Sequence, residues 1–238
     1  MRGFRFAGVV AALSVAVAAQ AQFNFSQSQT TDALRGALEL ATNRTAGQLG
    51  AKDGYFSDAL VKILLPPEAQ AAAELLRTKG GRTGRAVVDD VLLKMNRAAE
   101  AAAAQGQTRT IFLEAIKGLT IADGLTILQG DSVAATRLLQ SRTQDQLLAL
   151  YRPVVAQQMQ AVGLQQSWQK FATTYNRFSF LTASGKPLPT DIGEYVVGKA
   201  LEGFFATLGR QEAAIRKDPV GKAEGLVRDV FSAVLPKR

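Results

Sequence analysis

This chain has 238 residues, with no His and no Cys, so its candidate chemistry rests on acids, amides, hydroxyls and amines. Without imidazole or thiol there is no Ser-His-Asp triad, no thiolate nucleophile, no disulfide framework and no His- or Cys-ligated metal centre. The most suggestive group is Asn96, Arg97 and Glu100 in the string Lys94-Met95-Asn96-Arg97-Ala98-Ala99-Glu100. A carboxylate at the edge of an apolar helix face has its ionised form disfavoured, so Glu100 is a candidate acid or base and Asn96 a hydrogen-bond donor beside it. The same trio also reads as a satisfied polar network that fixes helix register, and this reading is favoured because buried polar groups normally have partners. Glu114 and Asp123 are the candidate partners of Glu100 in a carboxylate pair of the glycosidase kind, which needs two carboxyl groups about 5 to 9.5 Å apart beside an open cleft. With Asp131 these acids also raise an oxygen-ligand site for Ca²⁺ or Mg²⁺, but capping roles already explain Asp123 and Asp131. No EF-hand loop, P-loop or dinucleotide glycine fingerprint is present, so no cofactor and no metal is expected.

The elements that must position these residues read as helices nearly throughout, and the expected fold is all-α: many short amphipathic helices in an irregular single-domain bundle. Asp32 to Leu49 carries Ala33, Leu34, Ala37, Leu38 and Ala41 at helical spacing, and Gly50 ends it. Residues 51–67 form a loop in which Val61 to Leu65, closed by Pro66 and Pro67, is an extended segment packed onto helices. Pro67 opens the next helix, which stops at Gly80-Gly81. Between Arg85 and Ala104, Val88, Val91, Leu92, Met95, Ala99 and Ala102 make one apolar stripe, with Asp89, Asn96 and Glu100 along its border. Arg97 stands three residues before Glu100, where the two pair across one turn.

Farther on, Thr120 with Asp123 and Thr143 with Gln146 each read as a capping box, and Asp131 and Asp218 as N-caps. A hydrophilic opening at Thr182 to Thr190 separates a last helical pair. There Tyr195, Glu202, Glu212 and Arg216 are spaced as solvated or interhelical pairs. Phe204 and Phe205 are adjacent and point different ways, which leaves core packing between two elements or an exposed apolar patch.

The N-terminus is an address. Arg2 and Arg5 form a positive leading region, Ala7 to Ala18 is apolar or small except for Ser14, and Ala19-Gln20-Ala21 is a cleavage signature. Residues 1–21 are therefore expected to be a signal peptide, 22–31 a flexible lead and 32–238 a single helical domain. Cleavage near Ala21 would leave a periplasmic or secreted protein with no transmembrane segment, no disulfide and no lipid anchor. Removing Arg2 and Arg5, with no acid in that segment, lowers the formal charge of +8 by two. The remaining basic residues are dispersed, so nucleic acid is not expected; an envelope protein, an amphipathic ligand or peripheral membrane contact is.

Several separated blocks carry a resemblance. Lys94 to Glu100, Ile111-Phe112-Leu113-Glu114-Ala115-Ile116, Leu119 to Gly124, Ile127-Leu128-Gln129-Gly130-Asp131 and Ala134-Ala135-Thr136 resemble the central block of the bacterial domain-of-unknown-function 4197 family. Asp53-Gly54-Tyr55-Phe56 with Lys62-Ile63-Leu64-Leu65-Pro66 resembles its aromatic-to-Leu-Pro loop. Tyr195-Val196-Val197, Lys199 to Phe205, Glu212, Ile215-Arg216 and Asp218-Pro219 resemble its closing helices. The similarity spans roughly Asp32 to Leu235. It departs from the usual pattern at Gly118-Leu119, Gly124 and Arg137-Leu138. What it implies is an exported, all-helical protein with no assigned activity. Two functions are thus carried forward: a non-enzymatic binding or interaction module of the cell envelope, and, as the alternative, a carboxylate-dependent hydrolase of envelope polymer with Glu100 as acid and Glu114 or Asp123 as partner.

Overall fold

The computed structural model describes residues 25–120, 124–176, 188–189 and 191–235. The expected signal segment, Asp123 and most of the Thr182–Thr190 opening lie outside the described residues. Ten helices occur among the described residues, with no strand. They are α1 (Gln27–Gly50), α2 (Pro67–Lys79), α3 (Gly81–Ala104), α4 (Gly106–Lys117), α5 (Gly124–Gln129), α6 (Ala134–Ala161), α7 (Leu164–Asn176), α8 (Gly193–Lys217), α9 (Pro219–Lys222) and α10 (Gly225–Val234). The all-α expectation holds.

Local sequence explains most boundaries. Helix α1 starts at Gln27 rather than Asp32, inside the stretch read as a lead. Ser26 Oγ accepts from the Gln29 N–H, and the Gln29 side chain accepts from the Ser26 N–H, a reciprocal capping box written in polar residues that look like linker composition. Pro67 sits at the first position of α2, and Gly80 caps its end before Gly81 turns the chain at φ 59° into α3. Asp218 caps α9 by accepting from the Gly221 N–H at 2.9 Å, with Pro219 next in line.

Two expected starts are corrected. Thr143 begins no helix: it lies inside α6 and donates to the Leu139 carbonyl at 2.6 Å. The stripe of Leu139, Leu147, Tyr151 and Val155 runs buried straight past it, so packing overrides the local capping signal. Asp131 is not the N-cap of α6 either. Val133 holds that position, while Asp131 accepts from the Val133 N–H at 3.0 Å and pairs with Arg137 at 2.7 Å. Those bonds hold the Asp131 carboxyl below its ordinary range, the Val133 N–H first and Arg137 second.

The helices share one apolar core. Helix α8 packs against α6 and α1, and α3 against α1, α2, α6 and α7. Phe204 and Phe205 are both buried in it. Phe112 of α4 stacks on Phe204 with ring centroids 4.0 Å apart and meets Phe205 edge-on at 5.7 Å. Of the two readings left open for these phenylalanines, core packing is therefore the one realised.

Candidate functional site

The polar border of α3 faces the loop between α1 and α2. Asn96 is fully buried, and its amide grips one residue of that loop: Oδ1 accepts from the Ile63 N–H at 2.8 Å, and Nδ2 donates to the Ile63 carbonyl at 2.9 Å and to Leu92 O at 2.8 Å. A side-chain amide thus takes both backbone groups of an extended residue, as a neighbouring strand would. One turn on, Glu100 Oε1 accepts from the Tyr55 and Phe56 N–H groups at 3.2 and 3.0 Å, and Oε2 pairs with Arg97 at 2.5 Å. Arg97 also holds Asp53 at 2.7 Å, and Asp53 has the left-handed φ of 67° that turns the loop. The spacing of Asn96, Arg97 and Glu100 therefore brings them together as expected, and their hydrogen bonds fasten loop residues 53–63 onto α3. Asp89, on the same border, is exposed and pairs with Arg77 at 3.0 Å.

Glu114 stands apart from this group. It is exposed on α4 and pairs with Lys117 at 2.9 Å. Among the described residues no three acids gather as metal ligands.

A second carboxylate–arginine pair does comparable work. Glu212 and Arg216 are buried rather than solvated. Glu212 accepts from the Ala135 and Thr136 N–H groups at 3.0 and 2.7 Å, capping the first turn of α6 from another helix. Arg216 binds Glu212 at 2.8 Å and donates to the Leu128 and Ile127 carbonyls at the end of α5. One ion pair on α8 thereby closes two helix ends, which is why Asp131 is not needed as the cap.

The fastened loop forms one wall of an open groove of about 590 Å³, and α8 forms the other. Burial alternates along the loop: Val61, Ile63 and Leu65 are buried, whereas Leu60 and Leu64 are 77% and 56% exposed. Gly203 lets α8 approach, since a Cβ there would lie 2.6 Å from Tyr55 Cε1. Tyr55 is buried and donates to the Ala200 carbonyl at 2.7 Å, tying the loop to α8. On the rim, Tyr195 donates to the Leu64 carbonyl at 2.8 Å and Lys199 pairs with Glu202 at 2.6 Å. Burial raises the Tyr195 phenol, and the hydrogen bond to Glu202 raises Lys199, so at neutral pH the rim carries a neutral phenol and an ammonium.

None of Asn96, Arg97, Glu100 and Glu114 lines this groove. Sequence reasoning missed Leu60, Lys62, Leu64 and Lys199 as a surface. The available signal was the Val61–Leu65 apolar run, in which alternate residues of an extended chain must face opposite ways. No curated protein and no solved structure matches the chain. The family model described as "Protein of unknown function (DUF4197)" matches residues 24–232, a span that holds both buried networks and the groove, and the chain belongs to that family.

Proposed function

We propose that this protein is an exported, non-enzymatic binding module of the bacterial cell envelope, and that the groove between residues 60–64 and α8 is where it takes an amphipathic partner. The observation that carries this reading is the groove itself: apolar Leu60 and Leu64 stand exposed beside a rim of Lys62, Tyr195 and Lys199. Export rests on the leading Arg2 and Arg5, the apolar run and Ala19-Gln20-Ala21. No helix of the described residues is long and apolar enough to cross a membrane, in keeping with at most peripheral contact. The hydrolytic alternative draws no support from the groove, because Glu100 is occupied with loop backbone and Glu114 with Lys117.

The test uses the mature chain, Gln22 to Arg238, and dansyl-undecanoate as an amphipathic probe. Saturable binding is expected, weakened about tenfold or more by Leu64→Glu, since a charge would enter an apolar contact. Leu150→Glu, at an exposed leucine of α6 outside the groove, is the control and should leave binding unchanged. No saturable binding, or equal loss in both variants, overturns the reading. Export is checked by the mass of the protein in the osmotic-shock fraction, expected to begin at Gln22; an uncleaved chain confined to the cytosol contradicts it.

A further inference from the structure

We propose that the groove receives an extended segment of a partner polypeptide, which pairs with the backbone of Lys62 and Leu64 as a parallel neighbouring strand. This rests on the reading of the groove as the binding site and names the chemistry of its occupant.

From Lys62 to Pro66 the chain is neither helix nor turn, and the alternating burial of Val61, Lys62, Ile63, Leu64 and Leu65 is that of extended backbone. Its inner edge is satisfied, because Asn96 takes both the N–H and the carbonyl of Ile63. In extended chain the backbone groups of Lys62 and Leu64 point to the opposite edge. Two of the four are used there: the Lys62 N–H donates to Asp58 O at 2.8 Å, and the Leu64 carbonyl accepts from Tyr195 at 2.8 Å. The Lys62 carbonyl and the Leu64 N–H have no partner among the described residues. An acceptor on one residue and a donor two residues later are what a single residue of a parallel strand uses, through its own N–H and C=O.

Both residues line the groove. The pairing is short, because Asp58 and Tyr195 have taken the backbone groups on either side. Side chains must then supply the rest of the recognition. Lys62 lies between exposed Leu60 and Leu64, its ammonium 3.9 Å from the centroid of the Phe56 ring and with no carboxylate partner among the described residues. The complementary segment carries apolar, acidic and apolar residues at alternate positions. A lipid chain would use the apolar walls but leave the backbone donor and acceptor idle.

The test uses a blocked, fluorescein-labelled peptide, Ser-Leu-Thr-Glu-Thr-Leu-Ser, and the mature protein. Binding is expected to be saturable, to fall about tenfold or more when one central amide is N-methylated, and to change little when either terminal amide is methylated. Lys62→Glu should weaken this peptide and favour the version with Lys in place of its Glu. The methylation series needs no protein variant, so folding defects cannot mimic it. Absence of peptide binding, or a flat methylation series, overturns the inference; if dansyl-undecanoate still binds, the wider reading of the groove survives. A dimer of the unliganded protein that Leu64→Glu dissolves would place a second copy in the groove and also overturn the inference.

Discussion

Replacing Asn96 by Ala removes three hydrogen bonds and leaves the buried N–H and carbonyl of Ile63 without their partner. Burial of Val61, Ile63 and Leu65 contributes about 1.5–3 kcal/mol per side chain. Ordering the backbone of the five residues from Val61 to Leu65 costs about 1–2 kcal/mol each. The two terms nearly cancel, so the polar ties decide whether the segment stays on α3. Orphaning a buried backbone group costs about 1–3 kcal/mol. Asn96→Ala is therefore expected to lose about 2–4 kcal/mol in urea unfolding, and the Ile63 amide to exchange with solvent about 30-fold faster or more. Helix α3 has its own hydrogen bonds and should keep the protection of its central amides. Native-state hydrogen exchange by NMR reads both quantities. A loss below about 1 kcal/mol with unchanged Ile63 protection would show that Asn96 does not hold the loop, and the reasoning would fail.

Three further outcomes follow from the same geometry. Glu212→Gln should cost about 3–5 kcal/mol, because Arg216 is left buried without its counter-charge, while the double variant with Arg216→Met should cost clearly less than the two single losses together; strict additivity in a thermal or urea cycle would refute the coupling. Gly203→Ala, which drives a Cβ to 2.6 Å from Tyr55, should destabilise by about 1–3 kcal/mol, and Gly198→Ala, with nothing within 4 Å, should stabilise by about 0.5–1 kcal/mol; calorimetry giving both the same sign would contradict the close approach. The hydrogen bond from Arg210 holds the Asp58 carboxyl below its ordinary value; burial opposes it, and the Leu60 N–H adds a lesser lowering of its own. A depressed folded pKa stabilises above the ordinary carboxylate value of about 3.9 and loses that contribution as pH falls through the folded pKa. Acid titration of exchange at Leu60 should show this loosening, and Asp58→Asn should flatten it; an identical acid profile in that variant would refute it.

The helical part of this architecture was legible because it is periodic. The α3 stripe placed Asn96 and Glu100 on its border, and the three-residue step placed Arg97 against Glu100, all within one element. Their partners were not legible, since Ile63 and Tyr55 reach them from a distant loop and no local pattern encodes that meeting. Thr143 shows the converse failure: a sound capping signal loses to a buried stripe that continues through it. Asp131 loses its expected role because Glu212, far along the chain, supplies the cap. The groove was half written in the Val61–Leu65 run. Which of its residues stay exposed depends on how closely Gly203 lets α8 approach.

Chemical-shift mapping of the isotope-labelled mature protein with the heptapeptide tests the central claim most directly. The groove account expects saturable shifts confined to residues 60–64, Tyr195, Lys199 and Gly203, with Glu114 and Lys117 silent. Shifts centred on α4, or on the shallow hollow that Ala46, Gly47 and Gly50 of α1 form with Ala103 and Ala104 of α3, would contradict it.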